Sequence, residues 1–385
     1  MEPYEERTRA DAERVKVGIT HGDLNGIGYE IIMKTFLDPR MLDSITPVIY
    51  GSSKVASYHR KTLNINEVNF NLVKNAASAA HKRVNIVNIT HDEVRITLGK
   101  SSETAGQLAY LALETAVQDL QNNHIDVLVT APINKHNMRE AKFGFPGHSE
   151  YLADKFGCAE HLMLMVSGNI RIGVITGHIP LKDVPGAVTG ELILKKIDLM
   201  NQSLLKDFGI SKPKIAILGL NPHAGDQGVI GKEEAEVISP AIEQAWKRDC
   251  IVYGPFSADG FFGSDQFTQF DGILAMYHDQ GLIPFKALAF DKGINFTAGL
   301  PVVRTSPAHG TAYDLAGKNE ASPTSFREAI HMAMEIFNNR KEYEELRANP
   351  LPNYLKDLEH SSDAVIEKEI PPATDDNHTD VIAGQ

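Results

Sequence analysis

Short apolar, β-branched runs alternate along this chain with longer runs in which apolar residues recur every three or four positions. That alternation is the signature of βαβ units. The runs that read as strands are Val15–Thr20, 47–50, 84–89, Val127–Thr130, 162–166, 172–176, 215–218 and 273–276. Helical spacing is clearest over Glu103–Gln121, where Ala105, Leu108, Ala112, Ala116 and Leu120 share one face. Residues 191–205, 232–247 and 325–338 read the same way, and Pro323 suits the first turn of the last of these. The pattern predicts an α/β protein with largely parallel sheets. No internal repeat or low-complexity linker marks a domain boundary.

In open α/β sheets, ligands bind beyond the carboxyl ends of the strands. The residues that follow each strand therefore carry the functional signal. Val15–Thr20 leads into His21-Gly22-Asp23-Leu24-Asn25-Gly26-Ile27-Gly28, and Val127–Thr130 into Ala131-Pro132-Ile133-Asn134-Lys135. Three further strands lead into Gly177-His178-Ile179-Pro180-Leu181, Asn221-Pro222-His223-Ala224-Gly225 and Tyr277-His278-Asp279-Gln280-Gly281. A single histidine in such a loop reads as a hydrogen-bonded structural residue. Three in equivalent topological positions, His178, His223 and His278, point to a shared divalent metal, because three imidazoles with an open position make a catalytic site. Their spacing is long-range, with no compact motif of the H-E-x-x-H kind.

Two more clusters carry chemistry. Phe145-Pro146-Gly147-His148-Ser149-Glu150 is a glycine-hinged loop that presents an imidazole, a hydroxyl and a carboxylate. Lys286, Asn295 and Arg304 supply cations and an amide suited to carboxylate or phosphate. No G-x-G-x-x-G is present, so a Rossmann fingerprint is absent. The segment from Ala308 to Lys318 offers another route to a nucleotide: its glycines let backbone approach closely, and Asp314 is placed to accept from a ribose 2′-OH. Read without further context, the same segment is an ordinary turn and helix start.

Composition narrows the function classes. At 385 residues, 42% hydrophobic and 23% charged, the chain has the balance of a soluble globular protein with room for two domains. No apolar run approaches the ~18 residues that span a bilayer. The first 14 residues are dense in Glu, Asp and Arg and do not read as a secretory signal. Two cysteines, Cys158 and Cys250, cannot build a disulfide framework, which suits a reducing, cytoplasmic setting. A net charge of −12 argues against nucleic-acid binding. Eight acids against two lysines fall in residues 350–385, so that segment reads as an extended, solvated tail with net charge −6.

Taken together and in order, Gly147-His148-Ser149-Glu150, Gly177 to Leu181, Asn221 to Gly225, Met276 to Gly281 and Arg304-Thr305-Ser306 through Leu315-Ala316-Gly317 resemble the 4-hydroxythreonine-4-phosphate dehydrogenases of pyridoxal phosphate biosynthesis. The resemblance runs from about Val15 to Asn339 and leaves the acidic tail outside. It implies two α/β/α domains similar to isocitrate and isopropylmalate dehydrogenases, one from 13–145 plus 295–345 and one from 146–294. It also implies a homodimer with the active site at the subunit interface. One divalent metal (Zn, Mg or Co) falls to His178, His223 and His278. Substrate contacts fall to His148, Ser149, Lys286, Asn295 and Arg304. NAD falls to His309, Gly310, Thr311, Ala312 and Asp314, a stretch similar to the nucleotide loop of isopropylmalate dehydrogenases. Ser149 departs from the threonine common in the family: it keeps the hydroxyl and loses a methyl group, which bears on substrate choice.

These parts imply oxidation of a small phosphorylated hydroxy acid, with the metal stabilising the developing alkoxide. The β-keto acid that results then loses CO2. Lys286 is the candidate for proton transfer, since a neighbouring dication favours its neutral amine. Asp259 is a second acid/base or orienting candidate. Two alternatives stay open: a related dehydrogenase of erythronate or threonate 4-phosphate, and a metal-dependent hydrolase with no need for NAD.

Overall fold

The structure, a computed structural model, describes residues 14–349; the expected acidic tail at 350–385 lies outside them. Twelve strands are present among the described residues: β1 (Val15–Thr20), β2 (Ile45–Gly51), β3 (Phe70–Val73), β4 (Val84–Asn88), β5 (Val127–Thr130), β6 (Leu162–Ser167), β7 (Ile170–Val174), β8 (Lys214–Leu218), β9 (Ile251–Phe256), β10 (Gly272–Ala275), β11 (Ile294–Ala298) and β12 (Val303–Pro307). They form one sheet in the order β3-β4-β2-β1-β5-β12-β11-β6-β7-β10-β8-β9. Every strand predicted from apolar runs is found within two residues of its expected bounds at either end. β3, β9, β11 and β12 are additional.

The α/β class holds, with mainly parallel pairing, but the middle of the sheet is mixed. β11 runs antiparallel to both β12 and β6, and β6 is antiparallel to β7. Hydrogen bonding is therefore continuous across the region where a division between domains is expected, and the expected boundary at residues 294/295 falls inside β11. Helix Glu103–Gln121 matches its predicted bounds. The 232–247 run is two pieces, a π-helical turn Glu234–Ile238 and an α-helix Ser239–Trp246. The final helix extends well past its predicted end, over Thr324–Ala348. No helix among the described residues is long and apolar enough to cross a membrane.

Strand alternation sends successive side chains to opposite faces, and here the two faces carry different cores. On one face, Ile19, Ile49, Val129, Leu164, Phe296 and Ile217 belong to a single cluster that runs under the whole sheet. On the other face there are two separate clusters. One gathers Val48, Tyr50 and Leu128 with helix Glu103–Gln121. The other gathers Met165, Ile172, Ala216 and Leu218 with helix His278–Leu288. Between those two clusters the central strands β5, β12 and β11 present polar side chains. That gap in the apolar packing is where the site lies.

Candidate active site

Pairing of Arg304 with Leu128, of Asn295 with Ser306 and of Asn295 with Met165 puts Arg304, Ser306, Asn295 and Thr130 on the gapped face. Arg304 is 3% exposed in the middle of the sheet. Its guanidinium donates from Nε and Nη2 to Thr130 Oγ1 at 3.1 and 2.6 Å, and from Nη2 to His148 Nδ1 at 2.9 Å. Among the described residues no carboxylate touches it. Burial lowers its pKa to about 10, opposed by the more distant charge of Glu150, so it stays a cation at neutral pH.

His148 opens the helix His148–Lys155 after Gly147. Burial, then the charges of Arg304 and Lys135, hold its pKa well below the ordinary imidazole value. It is therefore neutral. Because a guanidinium can only donate, Nδ1 must accept and the ring proton must sit on Nε2. Nε2 is buried and has no partner among the described residues. Asn295 Oδ1 and His309 Nε2 are likewise buried and unpartnered, and all three residues line the cleft. Buried polar atoms are nearly always satisfied, so three orphans in one cleft mark the place of a ligand. Ser149 Oγ is 2.9 Å from Thr297 Oγ1, which holds the hydroxyl at the cleft wall.

The cleft has two chambers of about 420 Å³ each. Lys135, His148, His178, Asn295 and Arg304 line both. Ser149 and Glu150 belong to the first; His278, Lys286, His309 and Gly310 belong to the second. Nine of the residues singled out from sequence thus converge: His148, Ser149, His178, His278, Lys286, Asn295, Arg304, His309 and Gly310. Lys135, Lys196, Thr130 and His161 join them without having been singled out. Of these, Lys135 closes the loop that follows β5, a position that could have flagged it.

Of the other expected residues, His223 and Asp259 do not line either chamber. His178 and His278 meet, with ring centroids 5.4 Å apart, and burial, Lys135 and His278 lower the pKa of His178. His223 is exposed on the loop Pro222–Gly228, where His223, Ala224, Asp226 and Gln227 all take left-handed backbone angles. Among the described residues no group of three His, Cys, Asp or Glu side chains is close enough to hold a metal ion. Asp259 is exposed, accepts from Ser257 Oγ at 2.5 Å and feels the charge of His223. It sits with His223 and away from the chambers.

The segment after β12 is anchored from below rather than opening a helix. Tyr313 donates to Asp23 Oδ2 at 2.8 Å and accepts from Asn134 and Asn137 at 3.1 Å. The Asp23 carboxyl, whose pKa is raised by burial, also accepts from Asn137 at 2.8 Å and from the Asn25 amide at 2.9 Å. Ile27 N–H donates to the Thr311 carbonyl at 3.1 Å, and a Cβ on Gly26 would come within 2.7 Å of that oxygen. The His21–Gly28 loop is thus a buried platform on which Thr311 and Tyr313 rest, while Asp314 is exposed.

Residues 43–333 match the family described as pyridoxal phosphate biosynthetic protein PdxA. The chain belongs to this family. A 4-hydroxythreonine-4-phosphate dehydrogenase of Bacteroides thetaiotaomicron is 50% identical over 354 residues, 92% of this chain and 97% of that protein. One of Sulfurihydrogenibium is 42% identical over 327 residues, covering 85% of this chain and 100% of its own length. The crystal structure of a 4-hydroxythreonine-4-phosphate dehydrogenase from Klebsiella pneumoniae shares the fold with a TM-score of 0.73 at 30% identity, over 84% of this chain and 98% of that one. The family resemblance drawn from the motifs is borne out.

Proposed function

We propose that the chain oxidises 4-phosphohydroxy-L-threonine with NAD and a divalent metal, acting in the cytoplasm as a homodimer with its active site at the subunit interface. The product is a β-keto acid that loses CO2 to give 3-amino-2-oxopropyl phosphate. The observation that carries this reading is the buried Arg304–His148 pair. A guanidinium with no carboxylate partner, and a neutral imidazole whose Nε2–H has no partner, among the described residues suit a bound anion, phosphate or carboxylate.

For the metal, the donor chemistry fits Zn or Co, with Mg the harder alternative. His178 and His278 stand side by side, but His223 of the same chain does not join them. His178 and His278 would hold the ion together with His223 of the partner subunit, and Asp259 would enter the site beside that residue. Exposed Ile179, Leu181, Ile283 and Phe290, neighbours in sequence of the two histidines and of Lys286, favour a subunit contact there. For NAD, the unpartnered His309 Nε2 and the open space around Gly310 fit a nucleotide lying along His309, Gly310, Thr311, Ala312 and Asp314. When bound, the cation favours ionisation of the substrate's secondary hydroxyl and NAD supplies the hydride acceptor.

The chain's own residues do the rest. Arg304 and His148 Nε2–H fix an anionic group of the substrate, and Ser149 and Asn295 hydrogen-bond beside it. Lys286 Nζ, on the wall of the second chamber, holds the proton that leaves the hydroxyl and returns one to carbon after CO2 departs. The test is NADH formation across several 4-phosphorylated hydroxy acids, with and without chelator. The expected result is chelator-sensitive NADH from 4-phosphohydroxy-L-threonine; no NADH from any of them would overturn the reading.

A further inference from the structure

We propose that Gln280 is a positioning residue: its side-chain amide, inserted between the carboxyl ends of β8 and β10, holds the His223 loop away from the His178–His278 pair and so leaves His223 to a second copy of this chain. The inference rests on the shared metal site proposed above and names the element that makes sharing necessary. In the sheet, β10 lies between β7 and β8. The loops that carry His178, His278 and His223 leave the ends of β7, β10 and β8 respectively. Only the first two of these histidines meet.

The two sides of β10 end differently. On the β7 side the pairing continues past the strand ends: Ile175 N–H donates to the Ala275 carbonyl at 2.8 Å and Thr176 N–H to the Met276 carbonyl at 3.1 Å. Thr176 Oγ1 donates to that same carbonyl at 2.7 Å. His178 and His278 each stand two residues beyond this closed seam. On the β8 side the ladder pairs Leu274 with Ile217, and the same register carried two residues on sets Met276 opposite Gly219. There the Gln280 amide stands between them. Its Oε1 accepts from Met276 N–H and its Nε2 donates to the Gly219 carbonyl, both at 2.7 Å. The two ends of the amide cannot be exchanged, since a backbone N–H only donates and a carbonyl only accepts. A side chain that takes up both groups replaces the direct rung and sets the strand ends farther apart than a ladder bond would.

Gly219 passes that spacing on to His223. Its N–H donates to the Phe256 carbonyl at 2.7 Å, so it is held from β9 as well. The left-handed turn packs directly on it: a Cβ on Gly219 would stand 3.0 Å from Ala224 Cα and 3.2 Å from Glu234 Oε1. Buried Glu234 secures the turn, accepting from Asn221 N–H at 2.7 Å and from Asn221 Nδ2 at 2.9 Å. The turn therefore moves with Gly219 rather than pivoting about it. A helix cap accounts for only half of what Gln280 does. It is the third residue of helix His278–Leu288, where an amide oxygen that reaches back to a backbone N–H at the helix start serves as a cap. Capping does not require the second bond, from Nε2 to a different strand.

The experiment titrates the metal-free protein with Co2+, as wild type and as Gln280→Met, and reads the Kd by calorimetry and the ligand geometry by visible absorption. A thermal melt of each metal-free protein runs alongside. Methionine keeps the length of the side chain without its two hydrogen bonds. Gln280→Met should bind Co2+ about tenfold more weakly or worse, with an altered absorption band. A Kd within about threefold of the wild type, whatever happens to the melting temperature, overturns the assignment and leaves Gln280 a helix cap. Should Gln280→Met fail to fold, Gln280→Asn, which keeps the amide but is one methylene short, decides by the same Kd. A wild type that binds no Co2+ overturns the proposed metal site, and this inference with it.

Discussion

Arg304 donates to Nδ1 of His148 at 2.9 Å, and that contact sets the tautomer of an imidazole whose other nitrogen faces the cleft. The same guanidinium is held in orientation by Thr130 through two further bonds. Position and protonation in this part of the site are therefore properties of one side chain.

Replacing that side chain tests how much depends on its shape. A lysine keeps the charge but cannot hold Thr130, His148 and a bound anion in one plane. Arg304→Lys should lower kcat/KM about 100-fold, or ~3 kcal/mol, with the fold retained. Steady-state kinetics with a thermal melt alongside would measure it, and a loss below about threefold would remove Arg304 from anion binding.

How much of this was legible in the sequence depended on where hydrophobicity and function coincide. β1, β5 and β8 are mainly apolar and are read without difficulty. β12, Val-Arg-Thr-Ser-Pro, is buried along its whole length yet reads as polar, because Arg304 and Ser306 face the cleft. Asn295 and Thr297 interrupt β11 in the same way. β3 is a partly exposed edge strand and β9 carries Gly254-Pro255, so neither presents a clean run. Strand direction in the middle of the sheet is fixed by tertiary pairing, which periodicity does not encode. Site residues were legible where they follow apolar strands. Lys196 was not, since it lies within the 191–205 run, where a lysine reads as solvated surface. Glu150 was visible as a carboxylate, but its isolation among cations is a fact of three dimensions.

Acid stability should report two buried histidines outside the cleft. His21 and His59 stack on either side of Tyr29, and both pKa values are lowered from 6.5 to about 4, chiefly by burial. In the unfolded chain they take up protons near 6.5; in the folded chain they resist until about 4. Their contribution is therefore complete above pH 6.5 and is lost as pH falls from 6.5 towards 4, on the order of 3 kcal/mol each. The melting temperature should fall across that window. His59→Gln, which can still donate to the Leu24 carbonyl that His59 Nε2 contacts at 2.8 Å, should reduce the slope of stability against pH by about one proton. An unchanged slope would show that His59 does not govern it.

The metal site proposed to be shared between subunits makes a prediction about pairs of subunits. His178→Ala and His223→Ala should each be inactive alone. Co-expressed and purified as a mixed dimer through two different tags, they would leave one site damaged twice and the other intact if, as proposed, His178 and His278 come from one chain and His223 from the other. Mixed dimers should recover about half of wild-type activity per dimer and bind about one metal ion in place of two. Inactive mixed dimers with no bound metal would place all three ligands in one chain and refute the shared site.

Under the proposed reading, cofactor choice would rest on Asp314. The sequence left its segment as a nucleotide loop or an ordinary turn and helix start, and the structure removes the helix start. Residues 313–319 are turns, and the next helix begins at Thr324. Asp314 is exposed, and among the described residues it makes no ion pair or hydrogen bond within the protein. Its immediate neighbour is fixed: the Tyr313 hydroxyl is tied to Asp23 at 2.8 Å. A carboxylate carried on so firmly anchored a turn would accept from a free ribose 2′-OH and repel a 2′-phosphate. Because the group is exposed, water and salt weaken the repulsion, so the discrimination from this residue should be about tenfold rather than several orders of magnitude. Asp314→Asn should narrow the NAD/NADP preference by that factor, mainly by lowering KM for NADP. Tyr313→Phe should raise KM for NAD and for NADP together, because it loosens the turn without altering its charge. An NAD/NADP ratio unmoved by Asp314→Asn would exclude the residue from the ribose site.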